Sequence, residues 1–208
     1  MVHSTMHNCI QKACLLGILE KNGKLLIETG MRKGEAAAPK WTDIDFKEKK
    51  ISISETLDFT AKTKSELFED TKTFRSTRVI SMSQSLTNDL SYHVNWQNQN
   101  KLGLNDAYHH DLNLVLCRED GNFMPKSTLF NAFSRILKRA GLPTLPIHSL
   151  RHTHAVILLE SGADMKYVHE RIGHGRIQIT SDVYAHVSKK LEATNMDKFE
   201  NHLKNILE

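Results

Sequence analysis

The chain has 208 residues, of which 39% are hydrophobic and 25% are charged, values ordinary for a globular protein with a core of its own. No apolar run approaches the roughly 18 residues of a membrane helix, and the N-terminus lacks a secretory pattern, so we expect no membrane partner. Three scattered cysteines make no metal-binding spacing and indicate a reducing compartment, and we expect the cytoplasm. A net charge of +4 is compatible with a polyanionic partner without requiring one.

The first 82 residues predict two helices followed by a small sheet. Residues 6–29 have helical periodicity, with an interruption at Gly23. A glycine-bracketed turn then leads into a short alanine-rich helix that Pro39 limits. Apolar and polar residues alternate in several segments of 44–82, which favours an antiparallel sheet with a polar excursion at 58–70.

The rest of the chain is mainly helical in pattern. Ser83 or Ser85 opens a helix that ends near Gly103, and 112–117 is a short strand or a buried extended run. Further helices are predicted over Lys126–Ala140, from near His148 to Ser161, over Met165–Ile172, around Tyr184 and along the apolar stripe Met196–Ile206. The predicted fold class is mainly α with a small antiparallel three-stranded β-sheet (α+β). We expect one domain over 1–208, with 1–5 disordered.

One stretch concentrates residues that can do chemistry: His148, Arg151, His174 and Tyr184. A metal site is one interpretation, because His148 and His152 have helical ligand spacing. His154 does not share their face, however, and no carboxylate or thiolate stands at a matching position. Taken singly, each of these residues could also serve only in packing or at the surface.

Phosphoryl transfer through a tyrosine is the third interpretation. Negative charge spreads over the phosphate oxygens in the transition state, so catalysis depends mostly on positioning and on placed cations. Arginine donates two hydrogen bonds to two phosphate oxygens, and histidine can accept a proton near neutral pH. A tyrosine hydroxyl titrates near pH 10 and needs such a setting to act as a nucleophile.

The motifs as a set resemble the catalytic domain of tyrosine recombinases, the phage and conjugative-transposon integrase group. The first box of that family is matched by Thr29-Gly-Met-Arg-Lys-Gly-Glu35, with Trp41-Thr-Asp-Ile-Asp45 after it. Its lysine-bearing sheet segment is matched by Thr71-Lys-Thr73 with Arg78-Val-Ile80. The second box is matched by His148-Ser-Leu-Arg-His-Thr-His-Ala155, then Ile172-Gly-His174 and Tyr184-Ala-His186.

The resemblance implies a role for each matched residue. Tyr184 would be the nucleophile that forms a 3′-phosphotyrosyl intermediate, and Arg32 and Arg151 would clamp the non-bridging oxygens. His174 would assist the clamp and His148 would assist proton transfer. Lys72 would protonate the leaving 5′-oxygen, although Lys62 and Lys64 occupy similar settings, and Lys72 alone could be an ordinary solvated lysine. Glu35 would support the site by orienting its neighbours.

The resemblance also implies what the protein works with. Double-stranded DNA would be the substrate, and neither a metal, ATP nor another cofactor would be needed. Three basic residues are candidates for DNA-phosphate contacts, although their helix face could equally serve solubility: Arg135, Lys138 and Arg139. We expect the N-terminal core-binding domain of the family to be absent from this chain, which would leave an isolated, monomeric catalytic domain.

Two further expectations concern assembly and function class. In the full-length protein, a tetramer on DNA would be linked by a C-terminal helix, 189–208, docking in trans, although the helix could also pack on its own domain. The expected activity is site-specific recombination or integration. The alternatives are a catalytically silent DNA-binding remnant and a topoisomerase that uses the same tyrosine chemistry.

Overall fold

The fold is seen in a computed structural model that describes residues 21–61, 66–70, 77–139 and 141–173, with five helical residues beyond them: Met196, Phe199, Glu200, Leu203 and Lys204. Helices surround a small antiparallel sheet, which confirms the predicted fold class. None of the helices within these ranges is long and apolar enough to cross a membrane.

The first described helix, α1, spans Lys21–Thr29 and stops at Gly30. Gly30 has a φ of +66°, a left-handed conformation that glycine adopts without steric cost. The predicted interruption at Gly23 is wrong, because this residue is buried inside α1. Helix α2 spans Lys33–Ala37 and is followed by Pro39, as the sequence predicts.

A three-stranded sheet follows, with β1 at Ile44–Asp45, β2 at Lys50–Ile53 and, later in the chain, β5 at Arg78–Ser81. The strand order is β1-β2-β5, and every pair is antiparallel. In the central strand, Ile51 and Ile53 face the core while Lys50 and Ser52 are exposed.

A separate hairpin occupies part of the segment predicted as a polar excursion. Strand β3, Glu55–Leu57, pairs with β4, Phe68–Asp70. The prediction for 58–70 is therefore wrong at its C-terminal end. Leu57 and Leu67 are buried against Ala37 and Ala38 of the α2 segment, so the hairpin has a small apolar cluster of its own.

Two long helices complete the main body. Helix α3 spans Gln84–Leu104 and α4 spans Lys126–Arg139. The Ser83 hydroxyl caps α3 by accepting a hydrogen bond from the backbone N–H of Leu86 at 3.0 Å. The 112–117 run is mostly buried but is not a regular strand or an extended segment: it includes bends and a positive φ of 45° at Asn113, with isolated bridges at Leu114 and Cys117.

The last two elements carry the key sequence motif. Helix α5 spans Ser149–Glu160, and α6 spans Met165–Ile172. The Asp164 side chain caps α6, and Gly173 ends it with a φ of +69°. Alanine and aliphatic side chains of α5 and α6 form a small core, so the two helices pack together beside the main core of α1, the sheet and α3.

Candidate active site

Four of the predicted catalytic or supporting residues are among those the structure describes: Arg32, Glu35, His148 and Arg151. Lys72, the alternatives Lys62 and Lys64, and the pair His174 and Tyr184 lie outside the described residues, so their predicted roles stay predictions.

The junction between α1 and α2 positions Arg32 and Glu35. Arg32 lies at the N-cap of α2 with an extended backbone, and its N–H donates to Glu35 Oε2 at 2.9 Å. Arg32 Nη1 donates to Glu35 Oε1 at 2.5 Å, and Nη2 donates to the carbonyl of Gly173 at 2.9 Å. The Arg32 side chain keeps 40% exposure, so its guanidinium is held in place at a surface.

Arg151 reaches the same junction from α5. Its Nη1 donates to the carbonyl of Gly30 at 2.8 Å and lies 3.9 Å from Glu35 Oε2. The side chain is 1% exposed. Burial and the charges of Arg32 and Arg78 lower the pKa of Arg151 to about 9, against the opposing effect of Glu35. The guanidinium therefore stays charged at neutral pH.

Glu35 is the shared carboxylate of this cluster. Besides Arg32, it accepts a hydrogen bond from Arg78 Nη2 at 2.8 Å, while its side chain is 3% exposed. Burial works to raise the pKa of Glu35, but the hydrogen bonds and charges of Arg78 and Arg32 outweigh it and lower the pKa to about 2. One carboxylate beside three arginines leaves the cluster with a net positive charge.

His148 and Arg32 both line an open cavity of about 430 Å³. Two of the predicted catalytic residues thus line one space, together with apolar and basic neighbours: Leu26, Met31, Lys33, Pro146 and Ile147. Partial burial and the positive charges of His152, Arg151 and Arg32 lower the pKa of His148, which favours its neutral form. A neutral imidazole can accept a proton.

The C-terminal end of α1 is tied down by residues whose roles the sequence did not reveal. His154 Nδ1 donates to the Ile27 carbonyl at 2.8 Å, and its Nε2 accepts from Arg171 Nε at 3.1 Å. Burial and the charge of Arg171 lower the pKa of His154 to about 4, so its ring is neutral. His154, one of the histidines in the metal interpretation, thus has a structural role here.

Arg171 of α6 bridges three elements. Its Nε contacts His154 of α5, and its Nη2 donates to the carbonyls of Glu28 in α1 at 3.1 Å and Ser81 in β5 at 3.0 Å. The last carbonyls of a helix have no partner within the helix, and a cation is favourable there. Arg171 therefore fixes α6 against α1 and β5, and with it the end of α6 that leads into the Ile172-Gly-His174 motif.

Arg78 is the other residue that the sequence did not single out. It appeared only as part of the motif around Lys72, yet it is buried and contacts both Glu35 and the end of α6. The available signal was an arginine at the start of a predicted strand, since a charged residue that packs beside a sheet is seldom buried without a partner.

The basic residues of α4 lie on an exposed helix face. Arg135, Lys138 and Arg139 are all exposed, as their helix face predicts.

Among the described residues there is no group of three or more His, Cys, Asp or Glu side chains that could hold a metal ion. His148 and His152 instead meet edge to face, with ring centroids 5.1 Å apart.

The arrangement suits an anionic group with several oxygens. Arg32 presents a fixed and partly exposed guanidinium, with the charges of Arg151 and Arg78 behind it and the His148 imidazole lining the same cavity. Such preorganised cations stabilise charge that develops on phosphate oxygens.

Comparison with known proteins gives a consistent result. Residues 4–190 match the family model described as the phage integrase family. The chain is 36% identical over 175 residues to a "Tyrosine recombinase XerC-like" protein of Caldanaerobacter subterraneus subsp. tengcongensis, an alignment covering 80% of this chain and 45% of the relative. It is 27% identical over 177 residues to the ICEBs1 integrase of Bacillus subtilis, covering 84% of this chain and 46% of that protein.

Solved structures show the same fold. The Tn1549 transposon integrase, in complex with transposon right end DNA, superposes with a TM-score of 0.67 at 21% identity, covering 86% of this chain and 57% of that one. The XerH site-specific recombinase, bound to palindromic difH substrate, gives a TM-score of 0.58 at 20% identity, covering 93% and 50%. The chain spans about half the length of the curated relatives it matches.

Proposed function

Because the chain belongs to the phage integrase family, we propose that it is the catalytic domain of a tyrosine-type site-specific DNA recombinase. It cuts one DNA strand through a 3′-phosphotyrosyl link at Tyr184 and rejoins it by reversal of the same step. The observation that carries this proposal is the convergence on one positively charged site of two distant stretches of the chain, one with Arg32 and Glu35 and the other with Arg151.

Arg32 and Arg151 bind the scissile phosphate with different degrees of readiness. Arg32 is held by Glu35 and Gly173 and remains partly exposed, so it can donate to a non-bridging oxygen without a large rearrangement. Arg151 is nearly enclosed and acts first as a fixed charge beneath Arg32. Direct contact of Arg151 with the phosphate requires the side chains that enclose it to shift.

The remaining roles follow the family resemblance. His148 assists proton transfer at the nucleophile, which its lowered pKa and its place in the same cavity as Arg32 support. His174 joins the clamp, and Lys72 donates the proton that the leaving 5′-hydroxyl needs. No step requires ATP, since the phosphotyrosyl bond conserves the energy of the broken phosphodiester.

Double-stranded DNA is the proposed substrate, bound mainly through its phosphates. The exposed Arg135, Lys138 and Arg139 on α4 are candidate contacts. Each neutralised phosphate releases counterions, so the logarithm of the binding constant should fall linearly as the logarithm of salt concentration rises. Binding that does not change with salt would contradict this part of the proposal.

Assembly is proposed to depend on the C-terminal segment. Met196, Phe199 and Leu203 are helical and between 39% and 57% exposed, so among the described residues this apolar stripe is left largely open to solvent. Docking of 189–208 on a neighbouring subunit would cover it and link subunits into a tetramer on DNA.

A covalent capture experiment tests the catalytic proposal. The chain is incubated with a pool of nicked duplexes whose sequence is randomised around the nick, so that the freed short strand diffuses away and the adduct accumulates. A DNA-linked protein band on a denaturing gel is expected for the wild type and not for Tyr184→Phe. Arg32→Ala should reduce the band strongly.

The same experiment separates the alternatives. DNA binding without any adduct identifies a catalytically silent remnant. An adduct together with relaxation of supercoiled plasmid, but without strand transfer to a second duplex, identifies a topoisomerase. Strand transfer to an added duplex with a 5′-hydroxyl end supports a recombinase.

A further inference from the structure

Arg78 belongs to a closed ring of hydrogen bonds at the candidate site. Its Nη2 donates to Glu35 at 2.8 Å, and its Nε donates to the backbone carbonyl of Arg171 at 2.8 Å. Glu35 accepts from Arg32, and Arg32 donates to the carbonyl of Gly173. The ring therefore returns to the end of α6, two residues from where Arg78 holds it.

The packing around Arg78 leaves little freedom. Its side chain is 8% exposed. A Cβ atom added to Gly173 would lie 3.0 Å from Arg78 Nη1 and 3.2 Å from its Cζ, so the backbone of Gly173 lies directly against the guanidinium. Gly173 also has a φ of +69°, so a larger residue there would be strained as well as crowded.

We propose that Arg78 is a positioning residue for DNA cleavage, which holds Glu35 and the C-terminal end of α6 so that Arg32 is presented to the scissile phosphate. This inference rests on the proposed function and assigns a task to a residue outside the catalytic set expected from the sequence. Arg78 does not touch the phosphate itself, because it lies behind Glu35 and is nearly enclosed.

The chemistry of the side chain explains why arginine is needed. The two acceptors of Arg78, a carboxylate oxygen of α2 and a main-chain carbonyl of α6, are reached by two different nitrogens of one rigid guanidinium. A lysine could supply the charge but only from one point. Arg78→Lys should therefore keep a positive charge beside Glu35 but hold the end of α6 less firmly than arginine does.

A double-mutant cycle in the full chain tests this role. The rate of covalent adduct formation is measured with saturating nicked-duplex pool for wild type, Arg78→Gln, Glu35→Gln and the double variant. Arg78→Gln should slow the reaction about 100-fold, the scale of a misplaced catalytic group. The double variant should be little slower than the slower single variant, because both substitutions break the same ring.

The pH profile supplies a readout that loss of packing alone would not give. Without Arg78, Glu35 loses its main cationic partner, so its pKa rises and the rate should fall as pH is lowered through the weakly acidic range. This limb adds to the fall that protonation of His148 causes in every variant, and the additional limb should be absent from the double variant and mostly suppressed in Arg78→Lys. Arg118→Gln is a matched control, because it removes an arginine from an exposed ion pair with Asp120.

The outcomes distinguish this inference from the proposed function. A wild-type adduct with an unchanged rate and pH profile in Arg78→Gln, or fully multiplicative effects in the double variant, would overturn the positioning role. Absence of an adduct with the wild type would instead overturn the proposed function. In that case, carboxyl NMR of Glu35 tests the contact between Arg78 and Glu35 without any reaction. An unchanged pKa of Glu35 in Arg78→Gln overturns the positioning role, and a raised pKa supports it.

Discussion

Replacing Glu35 with glutamine should destabilise the protein in a way that depends on pH. The pKa of Glu35 falls from 4.5 to about 2 in the folded chain. At about 1.4 kcal/mol for each pH unit, this difference corresponds to roughly 3 kcal/mol of stability at neutral pH. Removing one partner from a buried ion pair costs about 3–5 kcal/mol, so two independent arguments agree.

The sign follows from the direction of the shift. A carboxylate with a lowered pKa in the folded state stabilises the fold fully above pH 4.5, and this contribution is lost as pH falls towards 2. The gap between wild type and Glu35→Gln should therefore be widest at neutral pH and should narrow below pH 4.5.

Urea unfolding of both proteins, followed by circular dichroism at several pH values, measures this gap. Glu48→Gln is the control, because Glu48 is exposed and forms a loose surface ion pair with Lys50, with 3.8 Å between the charged atoms. This substitution should change the free energy of unfolding by less than about 0.5 kcal/mol. If Glu35→Gln cost less than about 1 kcal/mol at pH 7, or if its cost did not shrink in acid, the central position of Glu35 would be refuted.

Three other substitutions test the framework around the site. Gly30→Ala should cost more than about 2 kcal/mol of unfolding free energy, because φ is +66° and the new Cβ would lie 2.5 Å from His154 Cδ2. Gly103→Ala, where no atom lies within 4 Å, should instead gain about 0.5–1 kcal/mol, and equal effects of the two would contradict the geometry. Ser83→Ala should cost about 1 kcal/mol through loss of the cap on α3, measured by thermal unfolding, and no change would contradict the cap. Arg171→Gln should speed amide hydrogen exchange in α6 more than in α4, and uniform exchange would contradict its bridging role.

Most of the fold could be predicted from the sequence because the patterns that indicate helices and strands are local. Helical periodicity and glycine ends located α4, α5 and α6, and strand alternation located the three-stranded sheet. Gly23 misled because a single glycine costs a helix only about 1 kcal/mol, which the buried face of α1 outweighs. The β3–β4 hairpin was missed because its apolar partners, Ala37 and Ala38, come from a different segment.

The candidate site was only partly visible from local signals. Arg32 and Glu35 are three residues apart, and their pairing at a helix start is a short-range feature. Arg78 and Arg171 each donate to a main-chain carbonyl far along the chain, 93 and 143 residues away, respectively. No spacing rule links a single arginine to a distant carbonyl, so only the folded chain reveals these contacts.

The central claim is that Tyr184 becomes linked to a DNA 3′-phosphate, and this link can be observed directly. The captured adduct is digested with protease and nuclease, and the nucleotide-bearing peptide is sequenced by mass spectrometry. We predict a phosphodiester that joins Tyr184 to the 3′-phosphate of the nucleotide on the 5′ side of the cut, and a free 5′-hydroxyl on the released strand. A link to another residue, or through a 5′-phosphate, would contradict it.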